Sequence, residues 1–197
     1  MANPDRPMGF RPAKSLLSAP WQALVRRYPA ADRSADTTNN HGDIYIGDPV
    51  AFSSGRIVPA NSAATVVGVA VGFDVLPAGT MMADVGSIGA DPTDLMRQYL
   101  PHTIATGAFV YVVPAEGVLF EVQSASDLDL VAGSLADFNL VAATAHGSRT
   151  TGQSNVELVA ASDNDVRVVE VCTYPDNDST LANTRYLVKF QIVQFPV

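Results

Sequence analysis

The sequence predicts an all-β protein, a β-sandwich or barrel-like body preceded by an extended N-terminal arm. Three observations predict it. Apolar β-branched runs of four to ten residues recur along the chain, separated by Gly, Pro, Asn and Asp clusters. No long stretch shows the 3.6-residue apolar period of an amphipathic helix. The first 33 residues hold six of the twelve basic residues and five prolines, a composition poor for helix and for central strand alike.

Charge divides the chain at the same place. Residues 1–33 carry a net +4, and the remaining 164 carry −12. We therefore read residues 1–43 as an extended basic, Pro-rich arm and linker, and residues 44–197 as a single β-rich body. The arm also contains Met8, Phe10, Leu16, Leu17, Trp21, Leu24, Val25 and Tyr28. A solvated tail would not be expected to expose so much apolar surface, so the arm is expected to dock on a neighbour or back on its own body. Trp, Tyr and Arg dominate interface energies. Phe10, Arg11, Trp21, Arg26, Arg27 and Tyr28 are accordingly the candidate partner contacts.

The strands follow in order. Residues 44–52 read as a strand broken at Gly47-Asp48-Pro49, and because Pro49 cannot donate to a ladder it should be an edge or kinked. Ser53-Ser54-Gly55 is a tight turn into Arg56-Ile57-Val58. Residues 64–73 are apolar on both faces, the mark of a buried strand. The Gly68 and Gly72 spacing in it points to close backbone packing or a bulge. Residues 77–107 form an irregular insert, with a short helix over 93–100, and long inserts of this kind are often contact loops. Residues 108–113 and 118–123 are expected to pair as a hairpin across Pro114-Ala115-Glu116-Gly117. Ser134 to Asp137 could open one helical turn. Residues 155–160, 166–174 and 185–193 close the chain as strands, with Tyr186, Val188, Phe190 and Ile192 on one face of the last.

Several chemistries find no pattern here. The sequence holds no G-x-S-x-G, H-E-x-x-H, P-loop or dinucleotide glycine motif. His41, His102 and His146 are far apart in loop-like segments and read as solvated, not as metal ligands. Cys172 lies in an apolar run and reads as a small core residue. Asp163-Asn164-Asp165 and Asp176-Asn177-Asp178 bracket one strand, roughly 30 Å apart at about 3.3 Å per residue. They cannot share an ion, and each lacks the Gly and distal Glu of a calcium hand. They read as turns. No cofactor, metal or catalytic residue is expected. A net charge of −8 argues against direct nucleic-acid binding. The longest apolar run is too short to span a bilayer, and the N-terminus shows no signal-peptide core, so no membrane partner is expected and synthesis is expected in the cytoplasm.

The order of motifs carries a resemblance. Gly9-Phe10-Arg11-Pro12, Ile46-Gly47-Asp48-Pro49-Val50 and Val67-Gly68-Val69-Ala70-Val71-Gly72-Phe73 come first. Tyr111-Val112-Val113 and Leu119-Phe120-Glu121-Val122-Gln123 continue the series. Thr151-Gly152-Gln153-Ser154-Asn155-Val156-Glu157-Leu158, Tyr174-Pro175-Asp176-Asn177 and Arg185-Tyr186-Leu187-Val188-Lys189 complete it. Together they resemble virion structural proteins of tailed bacteriophages, in particular the capsid decoration, or cement, proteins. Residues 78–100 fit least well. The resemblance implies a non-enzymatic protein on the capsid exterior, bound to the major capsid protein, assembled as a homotrimer and bracing the shell. A tail, receptor-binding or head-completion component with a β-sandwich body is the alternative.

Overall fold

The computed structural model describes residues 3–31, 43–75, 99–100, 108–140, 146–148 and 150–193. Its elements are β1 (Arg11–Ser15), a 3-10 turn (Trp21–Leu24), β2 (Arg26–Pro29), β3 (Ile44–Tyr45), β4 (Pro49–Ser53) and β5 (Arg56–Pro59). Then come β6 (Gly68–Val75), β7 (Tyr99–Leu100), β8 (Ala108–Pro114), β9 (Val118–Gln123), β10 (Leu135–Phe138), β11 (Leu158–Ala160), β12 (Val166–Val171) and β13 (Arg185–Phe190). They form a six-stranded sheet in the order β1-β9-β13-β12-β10-β11, a five-stranded sheet β2-β8-β6-β4-β5, and the small pair β3-β7. All of these ladders are antiparallel.

Each large sheet curls back on itself. Just past β9, Ser124 bridges Leu158 of β11, and the Ala125 N–H donates to the Leu158 carbonyl at 2.9 Å. Just past β2, Ala30 bridges Ile57 of β5, and the Ala31 N–H donates to the Ile57 carbonyl at 3.0 Å. The body is thus barrel-like, as closure removes most of the exposed sheet edges. β1 lies outside the first ring, where Arg11, Pro12, Lys14 and a register shift between Pro12 and Lys14 blunt its free edge.

Two apolar cores result. Phe120, Phe138, Tyr186, Val188 and Phe190 fill the first, which Val69 and Val113 of the five-stranded sheet, and Val66 just before β6, also reach. Ile44, Val50, Ile57, Ala70, Val110 and Val112 fill the second. β6 and β8 form the wall between the two, which is why their sequences are apolar on both faces. Gly68 lies where a Cβ would overlap the Val113 carbonyl oxygen, and the β6 register slips between Ala70 and Gly72. Close packing and a bulge are therefore both present. The tight turn at Ser54-Gly55 has both residues at positive φ, as a two-residue hairpin requires. Pro49 opens β4 directly after the break at Asp48, an interior strand entered through a kink.

Five expectations are corrected. Residues 3–31 are not an arm separate from the body. β1 and β2 are strands of the two sheets, and Asn3 donates to the carbonyls of Asp178 and Ala182 at 2.9 and 3.0 Å. The expected hairpin between 108–113 and 118–123 does not form. β8 already lies between β2 and β6, and β9 between β1 and β13, so Pro114–Gly117 carries the chain from one sheet to the other. Ser134 to Asp137 is not a helical turn, because residues 135–138 pair with β11 on one side and β12 on the other. Ile192 lies beyond the end of β13 and is exposed. Of the 77–107 insert, 77–98 and 101–107 lie outside the described residues, as do 34–42 of the expected linker. Tyr99 and Leu100, placed in a short helix by sequence, pair as a strand with β3.

Phe10 tests the correction of the arm. It is 1% exposed, 4.8 Å from the Phe190 ring and 5.9 Å from that of Phe138. Phe10→Ala should cost about 3–5 kcal/mol in a urea titration. Deleting residues 2–31 should leave a chain without a cooperative transition. A loss for Phe10→Ala below about 1 kcal/mol would restore the separable arm.

Candidate functional site

The segments singled out in the sequence converge on one backbone crossing. The chain at Gly9-Phe10 passes directly over Ile46-Gly47-Asp48, and the Phe10 N–H donates to the Gly47 carbonyl at 2.8 Å. The Gly47 N–H donates to Ala70 at 2.9 Å, and the Ala70 N–H returns to Asp48 at 2.9 Å. From the other side Ile46 donates to Gly152 at 3.0 Å, and Ser154 donates to Ile46 at 2.9 Å. Gly9 and Gly47 have φ of +63° and +95°, where other residues are strained. A Cβ on Gly9 would fall 2.5 Å from the Gly47 oxygen, and one on Gly47 would overlap the Met8 oxygen.

Beneath the crossing lies a buried acid–base pair. His146 Nε2 is 3.1 Å from Asp48 Oδ2, and the two side chains are 4% and 0% exposed. The Tyr45 N–H also donates to Asp48 Oδ2, at 2.7 Å. His146 meets the Tyr45 ring edge-on at 5.4 Å, and Tyr45 stacks on Tyr99 at 5.6 Å. His146 was expected in solvent, and its burial is a correction. The polar residues around it in sequence hid a partner almost a hundred residues away. His41 and His102 lie outside the described residues. A His–Asp pair is also the rear of a nucleophilic triad. Here the nearby Ser154 hydroxyl accepts from the Val156 N–H at 3.1 Å, a turn contact, and Ser154 is itself buried. The arrangement joins the 146–148 loop to the crossing as a strut.

The six candidate partner residues do not form one surface. Phe10 is in the core, which overturns its expected role as a contact. Trp21 is half-buried against the first core. Tyr28 is half-buried, edge-on to Phe52 at 5.0 Å. Arg26 and Arg27 are exposed on β2, with the Arg27 guanidinium 3.6 Å over the Phe109 ring. Arg11 is exposed on β1 of the six-stranded sheet, where its ladder partner is Glu121 of β9. The structure thus gathers Trp21, Arg26, Arg27 and Tyr28 near β2 and leaves Arg11 apart.

Sequence reasoning did not select the most exposed apolar residues of this segment. Leu16 and Leu17 are 54% and 52% exposed in the loop after β1. The loop is anchored: the Leu16 N–H donates to the Gly117 carbonyl at 2.7 Å, and the Leu17 N–H to Ser15 Oγ at 3.1 Å. Two adjacent leucines between Lys14-Ser15 and Ser18, outside any apolar period, were the available signal.

Elsewhere the polar residues serve the fold. Asp137 accepts from the backbone N–H groups of Ser162, Asp163 and Asp165 and from the Ser162 hydroxyl. Burial alone would raise its pKa, but these four bonds outweigh burial and hold it below the ordinary carboxylate value. Burial raises Glu157, against the Gln123 amide that donates to it at 2.9 Å. Asn164 has φ +63°, and Asn177 bonds the backbone of Cys172 and Arg185. Both Asp-Asn-Asp triplets are therefore turns. Among the described residues no group of three or more His, Cys, Asp or Glu could hold a metal ion, and no helix is long and apolar enough to cross a membrane. Cys172 is half-buried rather than fully in the core. Burial, then the charge of Glu121, pushes its thiol up to about 11.

Comparison of the chain with known protein families, with curated proteins and with solved structures returns no match.

Asp137→Asn should destabilise the fold by about 1–3 kcal/mol at neutral pH, since its amide nitrogen cannot accept. A carboxylate lowered by folding stabilises above its unfolded pKa and loses that contribution as pH falls through the folded value. The gap between wild type and Asp137→Asn should therefore close in acid. A pH-independent gap in chemical denaturation would count against the network. Cys172 should resist a thiol reagent at neutral pH and react once the protein is unfolded, because only the thiolate attacks. Equal labelling rates in the two states would contradict its raised pKa.

Proposed function

We propose that this chain is a non-enzymatic structural protein that decorates the outside of a tailed-phage capsid and stabilises the shell by bridging neighbouring capsid subunits. It acts on this reading as a homotrimer bound to the major capsid protein, on the virion exterior after synthesis in the host cytoplasm. One observation carries the reading. Four of the segments that resemble decoration proteins, at Gly9-Phe10, Ile46–Asp48, Val67–Ala70 and Gly152–Ser154, meet at the single glycine crossing. Chance likenesses scattered along a sequence have no reason to converge in space. Their convergence supports a likeness of architecture.

The physics of such a role is mass action. A protein that binds the assembled lattice and not free subunits stabilises the lattice according to its concentration. Several weak contacts in one oligomer add avidity without any single strong one.

Purified virions should contain the protein in numbers comparable to the major capsid protein. Added to undecorated capsids, it should raise their melting temperature, with about 2.7 kcal/mol per site at a free concentration of about 100 Kd. A copy number matching a tail tip or portal ring would reassign it to that structure. Capsids whose melting is unmoved at saturation would reject the bracing role.

A further inference from the structure

One oxygen of the buried Asp48 carboxyl has no part in the strut. Asp48 Oδ2 is held twice, by the Tyr45 N–H at 2.7 Å and by His146 Nε2 at 3.1 Å. Asp48 Oδ1 has no hydrogen-bond partner, a condition it shares among the described residues only with Ser124 Oγ. An orphan acceptor at 0% exposure costs free energy, and a chemical role is one reason for a fold to keep it.

The peptide bond beside it is a susceptible one. Asp48-Pro49 is a tertiary amide, whose nitrogen carries no hydrogen. Such a nitrogen leaves more readily than an ordinary peptide nitrogen once it takes a proton. The Asp48 carboxyl can close a five-membered ring on its own main-chain carbonyl carbon, with the high effective concentration of an intramolecular reaction. That carbonyl oxygen already accepts from the Ala70 N–H at 2.9 Å, a donor placed where negative charge grows on attack. On the other side of the bond, the Pro49 carbonyl accepts from the Ala60 N–H at 2.9 Å.

We propose that Asp48 cleaves its own peptide bond to Pro49. With Asp48 ionised and His146 doubly protonated, Oδ1 attacks the Asp48 carbonyl carbon. The C–N bond breaks, a His146 proton passes to the Pro49 nitrogen, and a cyclic anhydride of Asp48 remains. Water then opens the anhydride to two carboxylates. One of the two protons released returns to His146, and the other charges the Pro49 amine. Only water is consumed, and the event happens once per chain. The other titratable groups around the pair are Tyr45, Tyr99 stacked on it, and Asp43, which accepts from the Tyr45 hydroxyl at 3.1 Å. β1 and β2, before the cut, are strands of the two large sheets, so the pieces stay together as a nicked fold. This activity goes beyond the proposed function and does not rest on it.

The test is mass spectrometry of the folded full-length protein after incubation at about pH 5 and about pH 8, the range over which a histidine gains its proton. Under denaturing conditions one piece should end at Asp48 and the other begin at Pro49. Native gel filtration should find them together. Cleavage should be faster at the lower pH. Unfolding in urea at that pH should slow it at least about tenfold, to the rate of the other Asp-Pro bond, Asp91-Pro92, in the same unfolded sample. Pro49→Ala and His146→Gln should each suppress it while keeping the circular dichroism of the fold. Where a variant does not fold, the comparison of folded and unfolded wild type decides alone. A folded chain that stays whole, or is cut at Asp48 no faster than in urea, would overturn the inference and leave Oδ1 a structural oxygen. Undiminished cleavage in folded His146→Gln would overturn the proton transfer on which the step depends.

Discussion

The fold hangs on a backbone approach that only glycine allows. Where Gly9 passes Gly47, each main chain occupies the space a neighbour's Cβ would need, and both residues hold positive φ. The hydrogen bond from Phe10 to Gly47 fixes the height of the crossing and delivers the Phe10 ring into the six-stranded core. The Gly47 and Asp48 bonds to Ala70 fix β6, the shared wall of both cores. Asp48 then holds His146 below. Two sheets, two cores and a distant loop are thereby referred to one point.

The basic N-terminal segment lies on its own acidic body, which bears on how its charge is used. Arg11 is the ladder partner of Glu121, and exposed Arg27 covers the Phe109 ring. Charged contacts at the surface are individually worth about 0–1 kcal/mol, so apolar burial rather than charge holds the segment down. Phe10 alone outweighs several of them. What remains outward near the start of β9 is the pair of exposed leucines, Leu16 and Leu17, with Lys14 before them and Glu116 in the turn beneath.

The strands were legible because period-two patterning and turn chemistry are local. Val118–Gln123 and Arg185–Phe190 read directly from alternation and from Gly, Pro and Asn at their ends. Strand partners were not legible. The four residues after β8 fit a hairpin loop, but the edges of β8 and β9 are taken by strands far away in sequence. Burial of polar residues failed for the same reason. His146 and Asp137 sit among Gly, Ser and Asp, and their environments are supplied by Asp48 and by the 162–165 turn. Of the candidate site, the segment was correctly singled out as apolar and cationic. Which of its side chains point inward depends on the crossing, and no local pattern announces that.

The ends of the chain are tied together. β9 lies between β1, from the first residues, and β13, from the last. The Asn3 amide closes on Asp178 across 175 residues of sequence. Contacts so distant must pay their loop-closure entropy before they return any stability, which slows folding to the millisecond-to-second range typical of non-local β proteins. During synthesis the Phe10 segment leaves the ribosome well before β13 and finds its full setting only when β13 has emerged. The nascent chain thus carries the apolar Phe10 segment unburied throughout the synthesis of the residues between it and β13, and chaperones have that interval in which to act.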